Sequence, residues 1–188
     1  MNALAEHIKN IVVISDEQLV KLCDRFVEKG FSKKEHVLHI SNTVNEVYFI
    51  LNGCVRTYIH DLNGVEHNIT FSMEDWWFGD LQSYLKRTPA AFNIQALEDL
   101  TVLAISRENW DVLLKEIPEF VAYTRVLFRN TMFSHENRIL QNLSYTAEER
   151  YRHFLGHYPN LSQRISQKQI ASYLGITPEF LSMLRRKK

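Results

Sequence analysis

The residues best suited to chemistry lie at the end of the chain, in QKQIASYLGITPEFLSMLRRKK from Gln167 to Lys188. Arg185, Arg186, Lys187 and Lys188 are cationic at neutral pH and suit phosphate oxygens. Glu179 is the acid in their midst. From Leu161 onward six cations stand against one acid, a net +5 in a chain whose formal charge is zero, so residues 1–160 carry −5. A basic end on an acidic body is the electrostatic footprint of nucleic-acid binding. A helical hairpin that merely packs would need no such charge.

Two short helices joined by a tight turn must position these groups. Ile170 and Leu174 form one helical stripe and Leu181 and Leu184 another, with Gly175 between them to supply a left-handed backbone. Ser166 with Gln169 makes a capping-box pattern, and Thr177 followed by Pro178 gives an N-cap and a proline in the first helical position. Ala171 is small where two steeply crossing helices approach. The pattern is a helix-turn-helix whose second helix, 178–186, would lie in the DNA major groove. Candidate DNA contacts are Gln169, Thr177, Pro178, Glu179, Ser182, Met183, Arg185, Arg186, Lys187 and Lys188.

Other chemistries find less support. His153 and His157 are four apart on a helical segment and His36 and His39 share a strand, but neither pair has a third ligand at a standard spacing, so no metal is expected. No His-x-His occurs, which removes the cupin pattern, and no enzyme is expected. Cys23 and Cys54 are too few for a disulfide framework and read as small buried hydrophobes. The 188 residues, 45% hydrophobic and 23% charged, match an ordinary globular protein. No stretch has the length of a membrane span and MNALAEHIKN lacks a signal-peptide core, so a cytoplasmic protein is expected.

The chain in order reads as an α+β protein. A short helix at 2–10 precedes another from Ser15, where Leu19, Leu22, Cys23 and Phe26 share a face and Gly30 is the stop. Runs at 36–40, 46–51, 54–60, 65–71, 92–97 and 101–105 are rich in Val, Ile, Tyr, Phe and Thr and read as strands of an antiparallel roll. From Pro118 a helical period persists to Asn142 and carries two stripes. Tyr123, Val126, Asn130, Phe133, Asn137 and Leu140 read as a heptad dimer seam, and Phe128, Met132, His135 and Ile139 as the face packed on the roll. Thr146 with Glu149 starts a further helix that Pro159 ends.

Roll, long helix and helix-turn-helix in that order resemble the Crp/Fnr family of bacterial transcription regulators, and the likeness covers nearly the whole length. The residues that carry it are ILNGCVRTYIHDLNGVEHNITF, the FGDL at Phe78–Leu81, ISRENW and IASYLGITPEFLS. AEERYRHFL with ASYLGITPEFLS looks like the branch of the family common in Bacteroidetes. The resemblance implies an antiparallel β-roll of the double-stranded β-helix or jelly-roll type as an effector domain over 1–116, a dimerisation helix over 117–143 and a DNA-binding domain over 144–188.

It also implies an effector cassette at Phe78, Gly79, Asp80, Leu81, Ala90 and Ala91. In the family, a helix start with an acid meets the ribose and cyclic phosphate, and an arginine with a following Ser or Thr neutralises the phosphate. Here Ala90 and Ala91 stand in those last two positions. A charge-assisted contact of that kind contributes about 1.5–3 kcal/mol, so its loss argues against a cyclic nucleotide and for a different effector or none. Lys86 and Arg87 lie in the same loop and could meet another anion, and Trp76 and Trp77 read as rim packing. No cofactor is expected. The family's glutamate matches Glu179, whereas Pro178 and Met183 replace frequent arginines. The chain ends without the family's β-hairpin wing, which shifts affinity toward phosphate contacts with a log–log salt slope near about −7 for a dimer.

The expectation is a homodimeric regulator that reads a palindromic site in double-stranded DNA, with RNA polymerase as a further candidate partner and no membrane association. The competing expectation is a ligand-binding or interaction module whose shortened DNA domain no longer reads sequence.

Overall fold

The computed structural model describes residues 2–186, so the expectations placed on Lys187 and Lys188 lie outside the described residues. The chain forms two compact units, one comprising the residues up to Tyr58 with Phe71–Phe128, the other Ile59–Thr70 with the residues from Arg129 onward. The long helix is thus shared between them instead of standing as a segment of its own.

In the first unit, helix α1 (Asn2–Lys9) buries Leu4 and Ile8, four apart on one face. Helix α2 (Asp16–Cys23) starts where the Ser15 hydroxyl accepts the Gln18 N–H at 3.3 Å. It stops seven residues before Gly30, the expected end. Val27–Phe31 is instead strand β1, with Gly30 opposite Thr101. A helix this short is marginal alone, and the backbone beyond Cys23 gains a full ladder by pairing as a strand.

The remaining strands are β2 (His36–Leu38), β3 (Glu46–Asn52), β4 (Val55–His60), β5 (Glu66–Ser72), β6 (Trp77–Phe78), β7 (Asn93–Ala96) and β8 (Leu100–Ser106). They make two four-stranded sheets, ordered β1-β8-β3-β6 and β2-β7-β4-β5. Helices α3 (Leu81–Lys86) and α4 (Arg107–Glu116) interrupt and follow the strands, and α5 runs over Pro118–Ser144. Phe49, Trp77, Trp110 and Phe120 interlock edge-to-face in the core, and Tyr123 stacks on Phe120.

The second unit holds the latter part of α5 with α6 (Ala147–His157), α7 (Leu161–Arg164), α8 (Gln167–Leu174) and α9 (Pro178–Arg186). Thr146 and Glu149 form the expected capping box. Tyr151, Phe154, Tyr158, Leu161, Ile170, Ala171, Leu174, Leu181 and Leu184 are among its buried residues. The segment 59–70 is fastened by side chains: the Asn68 N–H donates to the Ser172 hydroxyl, which donates to the Glu66 carbonyl, both at 3.0 Å.

The two stripes of α5 are distributed differently from the heptad reading. Tyr123 is fully buried, its hydroxyl 2.7 Å from His7 Nδ1 and receiving the Trp77 indole N–H at 2.8 Å, so it has no face to offer a partner. Asn130 and Asn137 line a cavity together with Arg138 and Gln141. Phe128 stacks on Trp110, but Met132, Ile139 and Leu143 are 51%, 58% and 82% exposed, with Phe133 and Leu140 uncovered on their flank. The amides line the cavity, and the uncovered apolar residues come from both stripes: Phe133 and Leu140 from one, Met132 and Ile139 from the other, joined by Leu143. Met132, Ile139 and Leu143 share one helix face.

Candidate nucleic-acid interface and effector cassette

The turn between α8 and α9 is built locally, as its caps dictate. Gly175 takes φ 66° and ψ 36°, and its N–H reaches the Ala171 and Ser172 carbonyls. The Ile176 N–H returns to the Ala171 carbonyl at 3.0 Å, closing the end of α8. Thr177 Oγ1 accepts the Phe180 N–H at 3.2 Å and so caps α9.

With Leu181 and Leu184 buried, α9 turns Pro178, Glu179, Met183, Arg185 and Arg186 outward, and Thr177 at its start is exposed as well. Glu179, Met183 and Arg186 recur at four and three residues and share one open face. Glu179 in the first turn and Arg185 and Arg186 in the last complement the helix dipole. Ser182 sits at the edge of that face and donates to the Gln167 side chain at 3.0 Å. Gln169 departs from expectation. Its side-chain oxygen and its carbonyl accept from the Asn68 amide at 2.6 and 2.9 Å, which turns it away from the α9 face. Sequence reasoning passed over Phe180, 40% exposed, although its place off the Leu181/Leu184 stripe was readable from the helical period.

The cassette is arranged in the opposite sense. Phe78 is buried and stacks on Tyr48 with ring centroids 5.0 Å apart. Gly79 has φ 148°, and a Cβ there would meet Val47 Cγ1 at 3.0 Å, so the position needs glycine. Leu81 packs half-buried against the core. Asp80 is 1% exposed, and both its oxygens are taken: one accepts the Ser83 N–H at 3.0 Å, the other the Ala91 N–H at 2.7 Å. The Ser83 hydroxyl donates to the Pro89 carbonyl at 3.0 Å, and the Ala90 N–H to the Asn42 carbonyl at 2.8 Å.

Lys86 and Arg87 are exposed, Arg87 closing α3 in a left-handed conformation. A cyclic phosphate would meet no cation at Ala90 or Ala91, and its ribose would find the Asp80 oxygens engaged. The residues present do not fit that ligand held in that way. Trp77 lies in the core among Phe26, Phe49 and Trp110 rather than on a rim.

Among the described residues no group of three or more His, Cys, Asp or Glu is placed to hold a metal ion, and no helix is long and apolar enough to cross a membrane. His36 stacks on His39 at 4.2 Å and bonds the Tyr58 hydroxyl at 2.9 Å.

Residues 28–116 match the family described as cyclic nucleotide-binding domain. The anaerobic regulatory protein of Haemophilus influenzae is 26% identical over 187 residues, covering 90% of this chain and 70% of that protein. Regulatory protein HlyX of Actinobacillus pleuropneumoniae is 26% identical over 91% of this chain and 75% of its own length. The solved structure of FixK2 from Bradyrhizobium japonicum superposes with a TM-score of 0.76 at 20% identity, covering 86% of this chain and 83% of that one. Residues 28–116 thus belong to the cyclic nucleotide-binding domain family, and over nine tenths of its length the chain is similar to bacterial regulatory proteins of the Crp/Fnr type.

Proposed function

We propose that the protein regulates transcription as a homodimer that reads a palindromic DNA site with α9, and that its roll takes no cyclic nucleotide through the cassette. The observation that carries the reading is the open face of α9, where Glu179, Met183 and Arg186 stand together beside Arg185, all exposed. A carboxylate there suits a cytosine amino group, a thioether suits a thymine methyl, and the arginines suit phosphates. The uncovered line Met132, Ile139 and Leu143 supplies a surface for a second copy, since parallel helices bury such a line against each other. A regulator of this kind acts where the DNA is, in the cytoplasm.

Selection of bound duplexes from a random pool, by the purified full-length protein at moderate salt, tests the reading. A palindrome with half-sites about one helical turn apart is the expected product. Ile139→Lys should sediment as a monomer and lose the palindrome. Absence of any enriched sequence would favour the competing module that no longer reads DNA, and an unchanged mass would retire the α5 seam.

A further inference from the structure

We propose that the second unit carries a binding site for a small organic anion with a planar ring, in a cavity walled by α5 and α6. The cavity measures about 710 Å3, and every lining residue belongs to the second unit. That volume lies within the range of sites that enclose small molecules.

Its walls are chemically divided. Phe133, Phe154, Tyr158 and Tyr173 supply aromatic surface, and Arg138 and Arg152 supply charge. No aspartate or glutamate is among the lining residues. The Arg138 guanidinium lies 3.6 Å from the Tyr173 ring centroid, and its Nη2 donates to the Asn68 and Tyr173 carbonyls at 3.3 and 3.0 Å. Carbonyls and a ring hold the group in place but do not neutralise it. Arg152 meets Glu148 at 3.8 Å with both side chains mostly in solvent, a pairing too weak to satisfy a cation. Nearby His157 is pushed below the usual imidazole range, by burial first and by the Arg138 charge second, which marks the positive field inside the cavity.

Gly156 keeps one wall low. Glycine inside a helix costs about 1 kcal/mol relative to alanine. At Gly156 an added Cβ would meet nothing within 4 Å, and the residue lines the cavity. Gly156 is exposed, and a larger side chain there has room to extend at the cavity wall. Met132, Ile139 and Leu143 lie on the other side of α5, so a partner helix seated on them leaves the cavity open.

The test uses the full-length protein and the aromatic sulfonate 1-anilinonaphthalene-8-sulfonate, with uncharged N-phenyl-1-naphthylamine as its neutral counterpart. The expected result is one saturable sulfonate site per chain, weakened at least tenfold by Gly156→Phe and several-fold by Arg152→Gln, with much weaker binding of the neutral dye. Circular dichroism and the unfolding midpoint establish that each variant folds. Should Gly156→Phe fail to fold, Asn137→Trp fills the same space from α5 and carries the same expectation. Sulfonate binding that survives filling of the cavity, equal affinity for the neutral dye, or no saturable site would each overturn the proposal. DNA is absent from the assay, so its outcome is separate from that of the selection.

Discussion

The effector cassette and the recognition turn use the same devices, a side-chain cap, a short helix and a glycine at positive φ, to opposite ends. In the cassette the acid and the serine hydroxyl are turned inward. Asp80 spends both oxygens on the N–H groups of Ser83 and Ala91, and Ser83 closes on Pro89. In the turn, Ser166 and Thr177 satisfy only their own helix starts, leaving Glu179, Arg185 and Arg186 open to solvent. Position within a family motif therefore does not decide what a residue does. A buried, fully satisfied carboxylate holds the fold, and an exposed, uncommitted one is available to a partner.

The sharpest way to break this contrast is to remove each acid and read both stability and DNA preference. Asp80→Ala strips the cap of α3 and leaves the Ala91 N–H without its acceptor. Urea unfolding should show a loss of about 2 to 4 kcal/mol, with the selected DNA sequence unchanged. A neutral effect would mean that the cassette is loosely held and open to a ligand after all. Glu179→Gln should do the reverse. Its stability cost should not exceed about 1 kcal/mol, the scale of an acid near a helix N-terminus. The preference at one base pair per half-site should shift by about 1 to 3 kcal/mol in competition binding. If the preference stays fixed, Glu179 faces solvent in the complex and base reading rests elsewhere on α9.

The same contrast explains what could be read from the sequence. Caps and turns are local, so Ser166, Gly175, Thr177 and Pro178 announced the helix-turn-helix, and Thr146 with Glu149 announced α6. Strand runs at 36–40, 46–51 and 65–71 were legible within a residue or two because alternation is local as well. Partners distant in sequence were not. Gln169 looked free for DNA because nothing near it reveals Asn68, 101 residues away. Asp80 looked like a ribose ligand because the role depends on where the Ala91 N–H arrives. β1 was absorbed into α2 because its ladder is supplied by β8, seventy residues later. Tyr123 was counted into the α5 seam because a heptad count assigns faces without knowing that His7 and Trp77 meet its hydroxyl.

The smallest expected effect concerns two histidines, one in each unit. The Tyr123 hydroxyl receives the Trp77 N–H and lies 2.7 Å from His7 Nδ1, so the His7 ring is held in the core. Burial accordingly lowers the His7 pKa from its ordinary 6.5, against a weaker opposing pull from Asp75. His157 is lowered by burial and then by Arg138. For a base depressed in the folded state, the unfolded chain binds more protons below 6.5. The stabilising contribution is therefore complete above that pH and is lost as pH falls toward the folded values. Imidazole proton resonances followed through a pH titration should place both midpoints below 6.5. Arg138→Gln should raise the His157 midpoint part of the way and leave that of His7 in place, because only one of the two faces a cation. If both midpoints moved together, the charge of Arg138 would not be confined to the cavity, and the sulfonate site inferred there would lose the focused field on which it depends.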